Sequence, residues 1–196
     1  MFNDRASTIG LLLSRRSGKA RDMVAPGPSP AELETILRAA QRVPDHGKLA
    51  PWRFVVVPAL QRTALADLIE AAYRAEKPSA GTTEIDAVRA YALQGETLLV
   101  VLSTPKVTSH IPLWEQQLTV GAACQNLMLA AHALGFVGNW LTGWPAYSDR
   151  VKTALGGGPD DRIAGFFYLG SPTKPLEERP RPDYAQVVSS WAPPTA

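Results

Sequence analysis

The chain is 196 residues long, 45% hydrophobic and 19% charged, with a single cysteine, Cys124, and a formal net charge of +2. One cysteine excludes an internal disulfide, and near-balanced charge excludes a whole-surface field for nucleic acid or membrane, so any basic chemistry has to be local. The length points to one domain, and the longest apolar runs, Thr97-Leu98-Leu99-Val100-Val101-Leu102 among them, fall well short of the ~18 residues of a membrane span. The Ile9–Leu13 stretch is too short for a signal segment, so a soluble, cytoplasmic protein is expected.

Ala6–Ser14 is expected to be helical, with Ile9, Leu12 and Leu13 on one side, and runs into Arg15-Arg16-Ser17-Gly18-Lys19. Ser29-Pro30-Ala31-Glu32 is a capping box with proline at the first helical position. The helix it opens buries Leu33, Ile36, Leu37 and Ala40, and Pro44 stops it. Arg53–Val57 is a short strand, rich in β-branched residues. Leu60–Ala75 returns to helical spacing, Glu76–Thr83 is a polar connection, and Asp86–Leu93 is a short helix. Thr97–Ser103 is apolar on both faces, as a central strand is. Trp114–Leu134 predicts a long helix with few charges after Glu115, placed in the middle of the molecule or of a dimer; Gly135 ends it.

Phe136–Leu141 and Ile163–Leu169 are further strand candidates, separated by a helix at Ser148–Leu155 and the Gly156-Gly157-Gly158 turn. After Gly170-Ser171-Pro172 the chain reads as proline-rich and extended until Tyr184–Trp191. Residues 174–196 have too little apolar content for a core of their own and are expected to lie across the body or a partner subunit. The pattern is α+β or α/β, helix-rich, with a sheet of roughly four or five strands.

Several chemistries are missing. His46, His110 and His132 are scattered and make no metal cluster, and no phosphate-binding glycine loop or nucleophile elbow occurs. Cys124 reads as a small buried hydrophobe and His132 as a packing or interface residue. No side chain is therefore assigned as catalytic, and no metal is expected.

Four segments carry signal, each with a plainer alternative. Arg15-Arg16-Ser17-Gly18-Lys19 puts three cations and a hydroxyl together, which suits a phosphate, or else a solvated face. Arg42-Val43-Pro44-Asp45-His46 and the following turn to Phe54 are dense in donors, or form a helix stop with Trp52 as core. Gly135-Phe136-Val137-Gly138-Asn139-Trp140-Leu141-Thr142-Gly143-Trp144 lets backbone approach a flat ligand, or packs aromatics in the interior. Gly170-Ser171-Pro172, followed by Arg179-Pro180-Arg181-Pro182, ends the series, or is a polar tail.

In this order, R-R-S-x-K, P-D-H-x(4)-P-W-R-F, G-F-x-G-x-W and G-x-P with a later R-P resemble the nitroreductase family of FMN-dependent oxidoreductases. The likeness is to its short bacterial branch of NAD(P)H nitroreductases, in which a W-E-Q segment like Trp114-Glu115-Gln116 opens the long helix; it extends from about Leu11 to Trp191. The resemblance implies an α+β, nitroreductase-like fold with a central, mostly antiparallel sheet flanked by helices. It also implies an intertwined homodimer with FMN between the subunits. Residues 1–196 would then form one FMN-binding domain, with 174–196 as an extended C-terminal arm.

By the same resemblance, Arg15, Arg16 and Arg181 meet the flavin phosphate and Ser17 shares phosphate or ribityl contacts. Lys19 lies near the pyrimidine edge, Arg42 and His46 contact the flavin from the R-x-P-D-H turn, and Trp140, Leu141 and Thr142 pass close to the ring. Ala130–Gly135 is a weaker candidate for nicotinamide contact. Lys48 and Ala50 stand where many larger members have Asn and Gln, so the resemblance leaves open whether these two contact the flavin. The implied activity takes hydride from NADH or NADPH onto flavin N5 and reduces a nitroaromatic, quinone or other small electrophilic acceptor by a ping-pong mechanism. The alternatives are a same-fold flavoenzyme acting on a non-nitro substrate, by dehalogenation, ring fragmentation or dehydrogenation, and a non-catalytic FMN-binding dimer. A nucleic-acid role for Arg15–Lys19 is disfavoured by the near-neutral charge.

Overall fold

The apolar run Thr97–Ser103 becomes the strand that both halves of the core share. A computed structural model describes residues 2–194 of the chain. In chain order its elements are α1 (Thr8–Ser14), β1 (Met23–Val24), α2 (Pro30–Ala40), β2 (Trp52–Val57), α3 (Arg62–Glu76), α4 (Thr82–Leu93), β3 (Thr97–Ser103), α5 (Leu113–Ala133), β4 (Val137–Leu141), α6 (Trp144–Tyr147), α7 (Asp149–Ala154), β5 (Arg162–Pro172) and α8 (Tyr184–Val187).

The strands form one five-stranded sheet in the order β1-β5-β3-β2, with β4 also pairing β5. Every pairing is antiparallel, which selects α+β over α/β. Side chains alternate between sheet faces. Leu98, Val100 and Leu102 of β3 join Phe166 and Tyr168 of β5 against Ala66, Ile69 and Ala72 of α3 and Val88 and Ala92 of α4. Leu99 and Val101 join Phe167 and Leu169 on the other face, against Ile36 and Ala40 of α2 and Cys124, Leu127 and Ala131 of α5. Burial pushes the Cys124 thiol up to about 12, so it is an inert packing group.

The capping box forms as expected: Ser29 Oγ accepts the Glu32 N–H and the Glu32 carboxylate accepts the Ser29 N–H. Helix α2 nevertheless stops at Ala40, short of Pro44. Helix α4 begins at Thr82 rather than Asp86, because the Glu84 carboxylate accepts the Gly81 N–H at 3.2 Å and holds the first turn. Strand β5 runs three residues past Leu169, since β1 pairs Met23 with Pro172 and Val24 with Ser171. Phe136 lies in the turn before β4, its N–H donated to Ala131 O. No helix among the described residues is long and apolar enough to cross a membrane. Residues 177–194 are exposed, and the last two residues of the expected arm lie outside the described residues.

Arg62, the first residue of α3, is buried, and its guanidinium donates to the carbonyls of Ala92 (2.6 Å), Gly95 (2.7 Å), Glu96 (3.1 Å) and Gln94. It thereby satisfies the open end of α4 and fixes the entry into β3. Substituting Arg62→Met should lower the unfolding free energy by about 2–4 kcal/mol in urea titration, because four carbonyls, that of Ala92 buried, lose their donor together. A loss below ~0.5 kcal/mol would refute that role.

Candidate functional site

Residues 15–19 form no regular element of their own and are held by neighbours on two sides. Asn3 grips Arg16 through both backbone groups: its side-chain oxygen accepts the Arg16 N–H at 2.8 Å and its amide donates to Arg16 O at 3.2 Å. Strand β4 grips Gly18 likewise. The Gly18 N–H donates to Gly138 O at 3.1 Å, and the Asn139 side-chain amide donates to Gly18 O at 2.8 Å. A Cβ on Gly18 would lie 3.2 Å from both Met23 Cε and Val137 Cγ2, so a glycine lets the segment approach the strand this closely.

This segment, β4 and residues 172–181 enclose a cleft of about 520 Å³. Seven of the sequence-derived site residues line it: Arg15, Arg16, Ser17, Lys19, Trp140, Leu141 and Arg181. Arg15 donates to Ser17 Oγ at 3.2 Å. Burial, then the charges of Arg181 and Arg16, lower the Arg15 pKa, so like charges from both ends of the chain converge. Among the described residues no carboxylate pairs with Arg15. Four other cations of the cleft have acidic neighbours: Glu178 reaches Arg16 (3.6 Å) and Arg181 (3.8 Å), Glu177 reaches Lys19 (3.7 Å), and Asp22 reaches Lys174 (3.0 Å). Each pair has at least one well-exposed partner, hence is weak and exchangeable. Such a donor set fits a multiply charged oxyanion, and guanidinium forks suit phosphate in particular.

Strand β4 supplies apolar lining through Val137, Trp140 and Leu141. Trp140 is 38% exposed, lies 5.0 Å from the Phe167 ring at a 31° tilt, and donates from Nε1 to Ala164 O at 3.0 Å. Gly165 makes room for that indole, for a Cβ there would stand 2.1 Å from Trp140 Nε1. A cationic end beside an aromatic and aliphatic wall, in a cleft of this volume, fits a phosphorylated planar cofactor such as FMN.

Three expected residues lie elsewhere in the chain. Thr142 does not line the cleft, and its carbonyl accepts the Tyr91 hydroxyl at 2.9 Å. Arg42 borders a separate groove of about 430 Å³ between α1, α2 and α5, shared with Arg5, Asn126 and Ala130. His46 Nδ1 lies 2.7 Å from a Glu115 carboxylate oxygen at the start of α5. The turn that carries His46 is tightly wound: Gly47, Lys48 and Ala50 have φ of 73°, 55° and 45°, and Asp45 accepts the Ala50 N–H at 2.8 Å. In the Ala130–Gly135 stretch, Ala130 and Ala133 border that same groove, whereas Ala131 and His132 are fully buried.

Asn139, Met23, Lys174 and Arg179 also line the cleft; Arg179 lies in the fourth signal segment, and none of the four has a site role assigned from sequence. Asn139 lay inside the G-F-x-G-x-W signature as one of its unspecified positions. His132 is likewise more than packing. Its Nε2 accepts the Gly138 N–H at 3.2 Å, which puts the imidazole proton on Nδ1, a buried atom with no hydrogen-bond partner among the described residues. Burial, with a smaller contribution from the Arg15 charge, lowers the His132 pKa to about 4.

Residues 12–171 match the model of the Nitroreductase family. The chain is 34% identical over 166 residues to the Escherichia coli K12 protein named "Putative NAD(P)H nitroreductase YdjA", a match covering 84% of this chain and 87% of that one. Among solved structures, a nitroreductase-like family protein from Bacillus cereus aligns with a TM-score of 0.78 at 22% identity, over 95% of this chain and 96% of that one. The FMN- and NADPH-dependent nitroreductase NfnB from Sphigopyxis sp. strain HMH aligns with a TM-score of 0.73 at 18% identity, over 95% and 99%.

The His132 environment sets a pH response with a definite sign. Unfolded histidine gains its proton below about pH 6.5, whereas native His132 resists it until about 4. Stability should therefore fall as pH drops through that window, by about 3 kcal/mol in total. Urea titrations of the parent and His132→Gln across pH 7 to 4 should show the parent losing this much relative to the variant. A constant difference would contradict a buried neutral imidazole.

Proposed function

The chain belongs to the nitroreductase family, and on that premise we propose that this oxidoreductase is an FMN enzyme that uses NADH or NADPH to reduce small electrophilic acceptors. The observation that carries the reading is the meeting of Arg15 and Arg181 in one cleft beside the exposed Trp140 face. Arg15, Arg16 and Arg181 take the phosphate, with the Ser17 hydroxyl adding a neutral donor. Phosphate oxygens exchange with the Glu177 and Glu178 carboxylates around these cations. Trp140 and Leu141 flank the ring, while Thr142, outside the cleft, follows the strand that carries them. Lys19 stands at the pyrimidine edge, where a fixed cation favours negative charge on the ring.

The chemistry supplied by bound FMN is hydride acceptance at N5 from the nicotinamide and delivery of reducing equivalents to a nitroaromatic, quinone or similar acceptor in a ping-pong sequence. The protein binds, orients and tunes, and no side chain of this chain is assigned a nucleophilic or obligatory acid–base step.

Residues 1–196 act as one FMN-binding domain with 174–196 as its arm, in a cytoplasmic homodimer. Arg42 and His46, outside the cleft of their own chain, are brought to the flavin by a second copy. Leu13 of α1, Trp114 and Leu118 of α5, and Tyr184 and Trp191 of the arm are all exposed apolar groups that such a dimer would cover. The carboxylate of Glu115 orients the His46 ring for that contact.

Purified protein should be yellow and should bleach on anaerobic addition of NADH or NADPH; colourless protein that takes up no added FMN overturns the reading. Arg15→Ala and Arg181→Ala should each weaken FMN binding about 10- to 100-fold by fluorescence titration, with unchanged circular dichroism. If both variants hold flavin like the parent, the phosphate assignment is wrong.

A further inference from the structure

We propose that His132 and Asn139 are positioning residues for the anion-binding segment: through β4 they fix the Gly18 backbone, and so present Arg15 and Ser17 to a phosphate. This inference rests on the flavin reading for the identity of the anion, while the tether itself stands on hydrogen bonds within the chain.

Strand β4 pairs β5, and both backbone groups of Gly138 are taken by groups other than β5. Its N–H goes to His132 Nε2 and its C=O accepts from Gly18. Buried edge groups of this kind need partners. The carbonyls at the end of α5 are already engaged by the turn: Ala130 O accepts from Leu134, Ala131 O from Phe136, and His132 O from Gly135. The Gly138 N–H finds its acceptor in the imidazole instead.

The arrangement leaves His132 Nδ1–H buried without an acceptor among the described residues. A leucine would avoid that unsatisfied donor, so packing alone does not explain a histidine here. Asn139, the next residue, completes the grip by donating to Gly18 O at 2.8 Å. Gly18 is thus held at both its N–H and its C=O from β4, and Arg16 at both of its own by Asn3. Alternate residues of an otherwise irregular segment are pinned, and Ser17, between them, keeps its hydroxyl in the cleft.

The test compares FMN with riboflavin, which differ by the phosphate, and follows amide hydrogen exchange at Gly18 in the flavin-free full-length chain. Asn139→Ala and His132→Leu should weaken FMN about tenfold while changing riboflavin less than about twofold, and should speed exchange at Gly18. His132→Gln, whose side-chain oxygen can accept from Gly138, should retain most of the FMN preference and of the exchange protection. Should His132→Leu fail to fold, Asn139→Ala decides by itself. Unchanged Gly18 exchange overturns the tether, whether or not flavin binds. Faster exchange with equal loss of both flavins, or with no loss of FMN preference, overturns its role towards the phosphate. A parent that binds neither flavin sinks the flavin reading, and the role towards its phosphate with it, while the exchange data still settle the tether.

Discussion

The pairing of β5 with three other strands is the constraint on which the rest of the molecule depends. β5 carries β3, β4 and β1, and its residues supply both faces of the core. At its end the two-residue strand β1 holds Ser171 and Pro172, and the Thr173 N–H and hydroxyl both donate to Asp22 O at 2.9 Å. The chain therefore leaves the sheet directly beside residues 15–22. That exit, rather than any local propensity, returns Arg181 to the neighbourhood of Arg15.

The cleft has a simple electrostatic logic. Guanidinium groups crowd one end at the expense of mutual repulsion, and burial together with the charges of Arg181 and Arg16 disfavours the charged form of Arg15. Carboxylates of the outgoing chain soften the repulsion around Arg16, Lys19 and Arg181 without locking it, since pairs with an exposed partner are worth little. A dianion would relieve all of it at once. Against this charged end, the indole of Trp140 is held in one orientation by Phe167, Ala164 O and the missing Cβ of Gly165. In the proposed reading, apolar wall and exchangeable ionic rim divide the work of holding the flavin.

Much of this was readable from sequence because it is local. The apolar alternation of Thr97–Ser103, the capping box at Ser29 and the uncharged length of α5 each follow from short-range pattern. The order of the signature segments led to Arg15, Ser17, Trp140 and Arg181 without any contact being known. What escaped was non-local. β1 is two residues long and exists only because β5 is there to pair with it. Arg62 looks like any helix-start arginine until the carbonyls of Ala92 to Glu96 arrive around it. His132 read as packing because nothing in its own helix shows that Gly138 needs an acceptor. Arg42 and His46 belong to a turn packed on α5, where Thr119 Oγ1 donates to Pro44 O at 3.2 Å, and no intrachain pattern carries them to the cleft.

Strand β2 closes the sheet on the side away from β4 and pairs with β3 alone. Its outer margin is the kind of surface on which unrelated chains stack into fibrils. Pro51 and Pro58 bracket it immediately, so at most six residues can offer ladder groups, and Arg53 adds a cation within that span. Two of the chain's 17 prolines thus stand as gatekeepers at this margin.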